Sequence, residues 1–423
     1  MIARLRFALR SLSIRNYRLY FLGQVVSVSG TWMQQVAIAW LVLRLTGSAF
    51  ALGVTTALQT LPYLFLGPWG GLVADRVSKR RLLICTQLAQ VVPPVILWVV
   101  AERGAAQIWM VYVLVLFRGV INTFDNPARQ SFVTEMVGRD RVVNAVSLNA
   151  SIIQAGRLIG PAIAAVVIAT LGLAPCFILN ALTFLFMVGM LLLMRPAELT
   201  PAPVLPRRKG QLREGLAVAA RTPELRVPLG MMAVVGLLAF NFTVVLPAIA
   251  RFTFGGSATT YALMVNFLAV GALGGALVSG IRTSVTQRMV AWSSVAFGVA
   301  LGAAAVVDDL AVFLVAMIAV GAASVLFSAS VQSSLQLAAA PEMRGRILSL
   351  YQLVYMGTTP LGALVVGALA STVGPRSGLV LGAAGALVAG VVGIWLQRRS
   401  SDPSTSGRGE TILSAGATAP ARR

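Results

Sequence analysis

The sequence lacks the residues from which most enzymatic and metal sites are built. It has no histidine, and its two cysteines lie in separate apolar segments, so we expect neither a structural disulfide nor a metal site. No stretch matches Gly-x4-Gly-Lys-Ser/Thr, the loop that holds nucleotide phosphates. We therefore expect no catalytic residues, no metal and no cofactor, and we do not expect the chain to be an enzyme.

Charged residues are also scarce. Only 11% of the 423 residues are charged and 57% are hydrophobic, whereas soluble domains carry about 25% charged residues. Acidic residues are the rarer kind: there are 13 of them against 34 basic residues, which gives a net charge of +21. This composition excludes an ordinary soluble domain and is typical of a protein that crosses a membrane many times.

Apolar runs of about 20 residues, the length that spans a bilayer as a helix, recur along the whole chain. We place twelve such spans in the sequence. Their predicted positions are 17–43, 51–73, 82–101, 108–125, 144–170, 175–194, 228–250, 259–281, 289–306, 310–331, 347–371 and 377–396. The sequence thus predicts an all-α membrane protein with twelve transmembrane helices.

The basic residues fall mainly on one side of this predicted arrangement. With an even number of spans both termini share a side, and 28 of the 34 basic residues lie there. The opposite side has four, and Arg118 and Arg157 lie inside spans. Cytoplasmic loops of membrane proteins carry such an excess, so we predict cytoplasmic termini and a multi-pass protein of the plasma membrane. The positive charge is a topology signal and does not predict nucleic acid as a partner.

The sequence divides into two similar halves. Ser48, just before the second span, has a counterpart in Ser257 before the eighth, and an internal repeat of six spans predicts two pseudo-repeated six-helix bundles. A proline- and arginine-rich stretch between them predicts a linker with a short surface helix over 211–221. The predicted divisions are a cytoplasmic N-terminal segment 1–15, a first bundle 16–194, a cytoplasmic linker 195–226, a second bundle 227–397 and a disordered cytoplasmic tail 398–423.

Several spans carry polar side chains that lipid could not satisfy. Gln24 and Gln35 belong to a polar stripe on one face of the first span, and Arg118 and Asn122 share a face of the fourth. Such residues face a cavity or another helix, so packing between helices and a buried ion pair are the alternatives to a substrate site. The candidate cavity residues are Gln24, Gln35, Arg118, Asn122, Arg157 and Asn241.

Asp125 is the candidate coupling residue. A proton-driven transporter needs a group that gains and loses a proton during its cycle. Among the thirteen acidic residues, only Asp125 ends a span on the same face as an intramembrane arginine. A fixed ion pair at the end of the helix is the alternative interpretation.

A glycine, a carboxylate and several basic residues follow one another in the short loop between the second and third spans. Gly71, Asp75, Arg76, Lys79 and Arg80 occur there in order, and a topology anchor is the simplest interpretation of the basic ones. The ordered pattern Gly-x-x-x-Asp-Arg-x-x-x-Arg resembles the conserved loop between the second and third helices of the major facilitator superfamily.

Further segments, 118–119, 125–129 and 157–161, resemble the exporter branch of that superfamily, which includes enterobactin-exporter and macrolide-efflux types. The resemblance implies the major facilitator fold, with twelve helices in two bundles. It also implies alternating access and export coupled to protons.

The resemblance further implies that Asp75, Lys79 and Asp125 form a charge cluster that latches the two halves together in the outward-facing state. We predict a secondary active transporter, a monomer in the lipid bilayer, that exports a small organic molecule such as a drug, siderophore or metabolite. An importer of the same fold is the alternative within this class. A membrane enzyme or a sensor that transports nothing is the alternative outside it.

Overall fold

The computed structural model describes residues 10–200, 211–282, 285–340 and 343–400. Twelve helices within these ranges are long and apolar enough to cross a membrane. The same ranges contain no β-strand. The predicted all-α class with twelve spans is therefore confirmed.

The first six spans form the first half of the chain, and three of their boundaries have clear local causes. Gly47 adopts a φ of 61° after the first helix, and the Ser48 side chain caps the second helix by accepting a hydrogen bond from the Ala51 amide at 3.4 Å. Pro175 occupies the first turn of the sixth. These helices are α1 Arg15–Thr46, α2 Ala49–Arg76, α3 Lys79–Glu102, α4 Ile108–Val137, α5 Val142–Leu171 and α6 Pro175–Leu192.

The second half begins with the predicted surface helix and then repeats the pattern of spans. Ser257 caps the eighth span as Ser48 caps the second, so the two serines of the sequence repeat mark equivalent helix starts. The elements are α7 Gln211–Arg221, α8 Pro223–Leu238, α9 Phe242–Ala248, a π-helical turn Ile249–Thr253, α10 Ala258–Ile281, α11 Gln287–Ala305, α12 Leu310–Ala338, α13 Arg344–Thr372 and α14 Ser377–Ser400.

The helix ends differ from the predicted divisions by a few residues. Helix α8 begins at Pro223, inside the predicted linker, and α14 continues to Ser400, beyond the predicted boundary at 397. In the N-terminal segment, a single 3₁₀ turn, Arg10–Ser13, precedes α1. Residues 1–9, residues 201–210 of the predicted linker and the predicted tail from 401 lie outside the described residues.

The seventh span is broken, whereas the sequence predicted a continuous helix over 228–250. Helix α8 ends at Leu238, and the Asn241 side chain donates to the carbonyl of Leu237 at 2.7 Å. A Cβ atom built on Gly362 of α13 would lie 2.0 Å from that carbonyl oxygen. Glycine at this position allows α13 to pack directly on the break. The protein thus covers backbone polar groups that lipid could not hydrogen-bond.

The helices of the two halves pair in the same way. In the first half α1 packs on α5 and α6, α2 on α4, and α3 on α6. In the second half α8 packs on α13 and α14, α10 on α12, and α11 on α14. The halves meet through α2 against α13 and α5 against α10, which are equivalent pairs in the repeat. Equivalent contacts of this kind are expected where two halves are related by an axis along the membrane normal.

The two ends of the bundle differ in how closely the halves approach. We call the end with residues 10–14 and 77–78 the basic face and the end with Gly47 and Gly374 the far face. Near the far face, a Cβ atom built on Gly53 of α2 would lie 2.3 Å from the carbonyl oxygen of Ala363 in α13. The guanidinium of Arg251 also lies 5.7 Å from the ring centre of Trp40 in α1. Direct backbone contact and this cation–π pair therefore join the halves at the far face.

Candidate functional site

A cavity of about 150 Å³ lies between the two halves, in the middle of the spans. The first half contributes α1 and α5 to its wall, and the second half contributes the broken seventh span, α10, α12 and α13. The polar and aromatic residues that line it are Trp32, Gln35, Arg157, Phe240, Phe242, Thr243, Tyr261, Ser324, Ser328 and Tyr355. Its position between the halves is the one that alternating access requires of a substrate site.

Two glycines of α5 bring Arg157 to this cavity. Cβ atoms on Gly156 and Gly160 would lie 2.5 Å from a Val28 side-chain carbon and 2.6 Å from the Ser29 carbonyl oxygen of α1. Small residues at this spacing let two helices touch along their backbones. Arg157, between the two glycines, is thereby held with its guanidinium carbon 5.0 Å from the ring centre of Trp32. This distance is that of a cation–π contact.

The second half supplies an aromatic wall. The ring of Phe240 lies 5.5 Å from that of Tyr355 in an edge-on arrangement, and 6.5 Å from that of Phe242. Behind it, Phe297 of α11 packs at 5.4 Å. The break in the seventh span allows both phenylalanines to face the cavity, although they are two residues apart and would point in different directions on a regular helix.

The predicted cavity residues separate into two groups. Gln35 and Arg157 line the cavity. The Gln35 side chain also accepts from Gln59 of α2 at 3.4 Å. Asn241 lies in the break between two lining residues and is buried, but it is not part of the lining. Gln24, Arg118 and Asn122 are also outside the lining and lie within the first half.

Gln24 and Asp125 belong to a buried polar cluster of the first half. The Asp125 carboxylate accepts from Thr86 at 2.7 Å, from Gln87 at 3.0 Å and from the Arg129 Nε at 2.9 Å. Arg129 in turn donates to Gln24 of α1. Asp125 is only 2% exposed and Arg129 is 16% exposed, so the cluster holds a largely buried ion pair that is not part of the cavity lining. The predicted shared face of α4 therefore packs on α1 and α3.

Arg118 and Asn122 extend this face away from Asp125. Asn122 accepts from Gln90 of α3 at 2.7 Å. Arg118 is 5% exposed, and its Nε and Nη1 atoms are buried without a hydrogen-bond partner. Arg118 forms no ion pair with the described residues, so it is a buried positive charge inside the first half. Burial of a charged arginine inside the membrane is unfavourable in free energy, so such residues are candidates for a functional role.

The loop motif closes the basic face of the first half. The turn consists of Val77 and Ser78, and Ser78 has a φ of −57°, so the backbone needs no glycine there. Lys79 pairs with Glu135 of α4 at 2.8 Å, and both side chains are buried. The ion pairs observed for Lys79 and Asp125 are thus with Glu135 and Arg129, which differ from the predicted cluster of Asp75, Lys79 and Asp125.

The other motif residues have distinct positions. Arg80 donates to the carbonyls of Leu191 and Leu192 and so caps the end of α6. Arg76 is exposed and Gly71 is buried. The close helix contact is made by Gly70, the neighbour of Gly71: a Cβ atom there would lie 2.0 Å from the Thr123 carbonyl oxygen of α4. Asp75 is half-buried at the end of α2.

Sequence reasoning missed the contribution of α10 and α12 to the cavity. Tyr261, Ser324 and Ser328 line it, and none was a candidate. The two serines are four residues apart and therefore lie on one helical face, the same signal that identified the polar stripe of α1. Serine is common between packed membrane helices, so its spacing alone would not have distinguished a cavity from a helix contact.

Comparison with known proteins identifies the family. The transmembrane secretion effector family matches residues 7–408. The chain is 25% identical to a staphyloferrin A transporter of Staphylococcus aureus over 84% of its length and 89% of the relative's. It is 24% identical to macrolide efflux protein A of Streptococcus pyogenes over 85% and 91%. A crystal structure of the nucleoside transporter NupG (D323A mutant) shares the fold, with a TM-score of 0.72 at 12% identity over 90% and 99% of the two chains. The chain therefore belongs to the transmembrane secretion effector family, a group of membrane transporters of the major facilitator superfamily.

Proposed function

We propose that the protein is a secondary active transporter that exports small organic molecules by alternating access. The observation that carries the proposal is the cavity between two repeat-related halves, with Gln35 and Arg157 on one side and an aromatic wall on the other. Rocking of one half against the other would expose such a site to each side of the membrane in turn. A single chain forms the whole cavity, which supports a monomer as the working unit.

The conformation suits loading from the basic face. Helices α2 and α13 touch backbone to backbone near the far face, at Gly53 and at Gly367, where a Cβ atom would lie 3.0 Å from the Ala49 carbonyl oxygen. The excess of arginine and lysine on the basic face supports a cytoplasmic location for that face and for both termini. In this orientation the far face is the external gate, and it is closed.

Export rather than import is supported by the relatives. One is named a transporter of staphyloferrin A and another a macrolide efflux protein. Their shared feature is a small organic cargo. Identity near one quarter does not transfer a particular substrate to this chain, so the proposal is limited to the class.

We also propose that Asp125 couples export to proton entry. It is a buried carboxylate whose charged form receives hydrogen bonds from Thr86, Gln87 and Arg129. Movement of α3 relative to α4 in the other conformation would remove the hydrogen bonds that Thr86 and Gln87 give to the charged carboxylate. Asp75 and the exposed Arg76 lie at the end of α2 on the basic face, and we propose that in the other conformation this segment contacts the second half as a latch.

Inside-out vesicles provide the test. Vesicles from cells that express the full chain should accumulate labelled compounds of the relatives' cargo classes when a proton gradient is imposed, and vesicles without the chain should not. Uptake only into right-side-out vesicles would identify an importer. Asp125→Asn should lose gradient-driven accumulation and retain exchange of substrate without a gradient. Equal loss of both activities would assign Asp125 a structural role, because exchange needs alternation but no net proton movement.

A further inference from the structure

We infer that the cavity binds an amphipathic organic anion, with the anionic group at Arg157 and an aromatic or apolar body against the opposite wall. The inference rests on the proposed function and narrows its substrate class. If the inference is correct, lipophilic cations are not the preferred ligands of this cavity.

The charges around the cavity support an anion. Arg157 is the only charged residue in the lining, which contains no carboxylate. The chain has no histidine and only 13 acidic residues, of which Asp125 and Glu135 are the two buried ones in the described residues. Both of these are already paired, with Arg129 and Lys79. No acidic group is therefore available in the lining to receive a cationic ligand.

Arg157 itself lacks a compensating charge. Its observed partner is the Trp32 ring, and it forms no ion pair in the part of the chain that the structure describes. A second arginine of the same half, Arg118, has two buried guanidinium nitrogens without a hydrogen-bond partner among the described residues. Because a positive charge inside the membrane is unfavourable without a counter-ion, a ligand carboxylate or sulfonate would stabilise this half. Arginine can also bind such groups with two parallel hydrogen bonds.

The opposite wall is suited to the body of the ligand. Phe240, Phe242 and Tyr355 present ring surfaces, and Ser324 and Ser328 already donate to backbone carbonyls of their own helix. Aromatic rings also attract cations, so this wall alone would permit a cationic ligand. The full charge of Arg157 across the cavity opposes that outcome, since ring quadrupoles interact more weakly than a unit charge. A bound anion would contact both halves at once.

Three probes that share one ring system test the charge preference. Binding of 2-naphthoate, 2-naphthamide and 2-naphthylmethylammonium to the purified full-length protein is measured by calorimetry. Wild type should bind the carboxylate at least about tenfold more tightly than the other two, since a hydrogen bond to a charged group is worth about 10- to 100-fold in affinity. Arg157→Gln should remove this preference by weakening the binding of the carboxylate far more than that of the amide, and Arg157→Lys should retain part of it.

The control is Arg44→Gln, which removes the same charge from an exposed arginine at the end of α1 and should leave all three affinities unchanged. Equal or tighter binding of the ammonium by wild type overturns the inference, as does failure of all three probes to bind. The order of the three affinities in the wild-type protein tests the inference even if a variant does not fold. If the ranking holds while inside-out vesicles accumulate nothing, the export proposal fails and the anion site stands.

Discussion

The two halves share one pattern of helix pairing but differ in what they bury. All four buried charged residues in the described parts of the chain belong to the first half: Lys79, Arg118, Asp125 and Glu135. Where the structure describes the second half, its buried polar residues are serines and Asn241, and it places aromatic rings beside the cavity. The two halves thus share a fold but differ in the chemical type of their buried side chains.

This difference indicates that the two halves have different roles. Among the described residues, the two ion pairs within the membrane helices, Lys79 with Glu135 and Asp125 with Arg129, lie on α3 and α4 of the first half. The second half contributes no charged side chain to the cavity and offers aromatic rings there. Binding of a ligand across the cavity would therefore connect the half that contains the buried ion pairs with the half that contains the aromatic wall. Four substitutions test this comparison.

Asp125→Ala should have the largest effect. It leaves Arg129 buried without its carboxylate, and breaking a buried ion pair in this way costs about 3–5 kcal/mol of folding free energy. The measurement is unfolding in mixed micelles. Asp309→Ala in the second half is the control, because this exposed helix cap accepts one hydrogen bond at 2.9 Å and its loss costs about 1 kcal/mol. Equal losses for the two variants would contradict the difference between the halves.

Gly53→Val should shift the equilibrium between conformations. The new side chain would meet the Ala363 carbonyl at the far face, and overpacking of this kind costs about 1–3 kcal/mol. Distances between spin labels on the far-face ends of α2 and α13 should increase, and export should fall about tenfold. Gly67→Val, on the same helix with nothing within 4 Å of its Cβ position, should change neither quantity. Unchanged far-face distances in the Gly53 variant would mean that this contact is not a gate.

Asp75→Asn should impair export by about tenfold while the amount of protein in the membrane stays near normal, because a change at a half-buried helix end creates no core cavity. Export rate and membrane level are measured together. Arg81→Gln, an exposed basic residue of the next helix, is the control and should export normally. A variant missing from the membrane would assign Asp75 a structural role, and normal export would end the latch hypothesis.

Phe242→Leu should have the smallest effect and the one most specific to the second half. Loss of its ring should weaken the binding of all three naphthyl probes by about threefold, whatever their charge. Phe254→Leu alters an aromatic contact with Phe313 that is away from the cavity, and it should leave binding unchanged. A loss confined to 2-naphthoate would show that the second half also senses charge.

Part of the site could be predicted from the sequence, and the reason is visible in α1 and α4. Polar residues within apolar spans must be satisfied by protein, so the sequence correctly marks Gln24, Gln35 and Asn122 as inward-facing. It does not distinguish which neighbour they meet. Gln35 reaches the cavity, whereas Gln24 and Asn122 contact Arg129 and Gln90. Spacing along one helix contains no information about the helix beside it.

The sequence by itself determined the twelve spans, the repeat and the distribution of basic residues. These follow from local rules: an apolar run of bilayer length forms a helix, a serine starts the next one, and lipid excludes unpaired polar groups. Only the tertiary structure decided the partner of Lys79, the break at Asn241 and the position of Arg157 over Trp32. Each of these depends on close contact between helices distant in the chain, so side-chain size and charge on both partners decide the outcome.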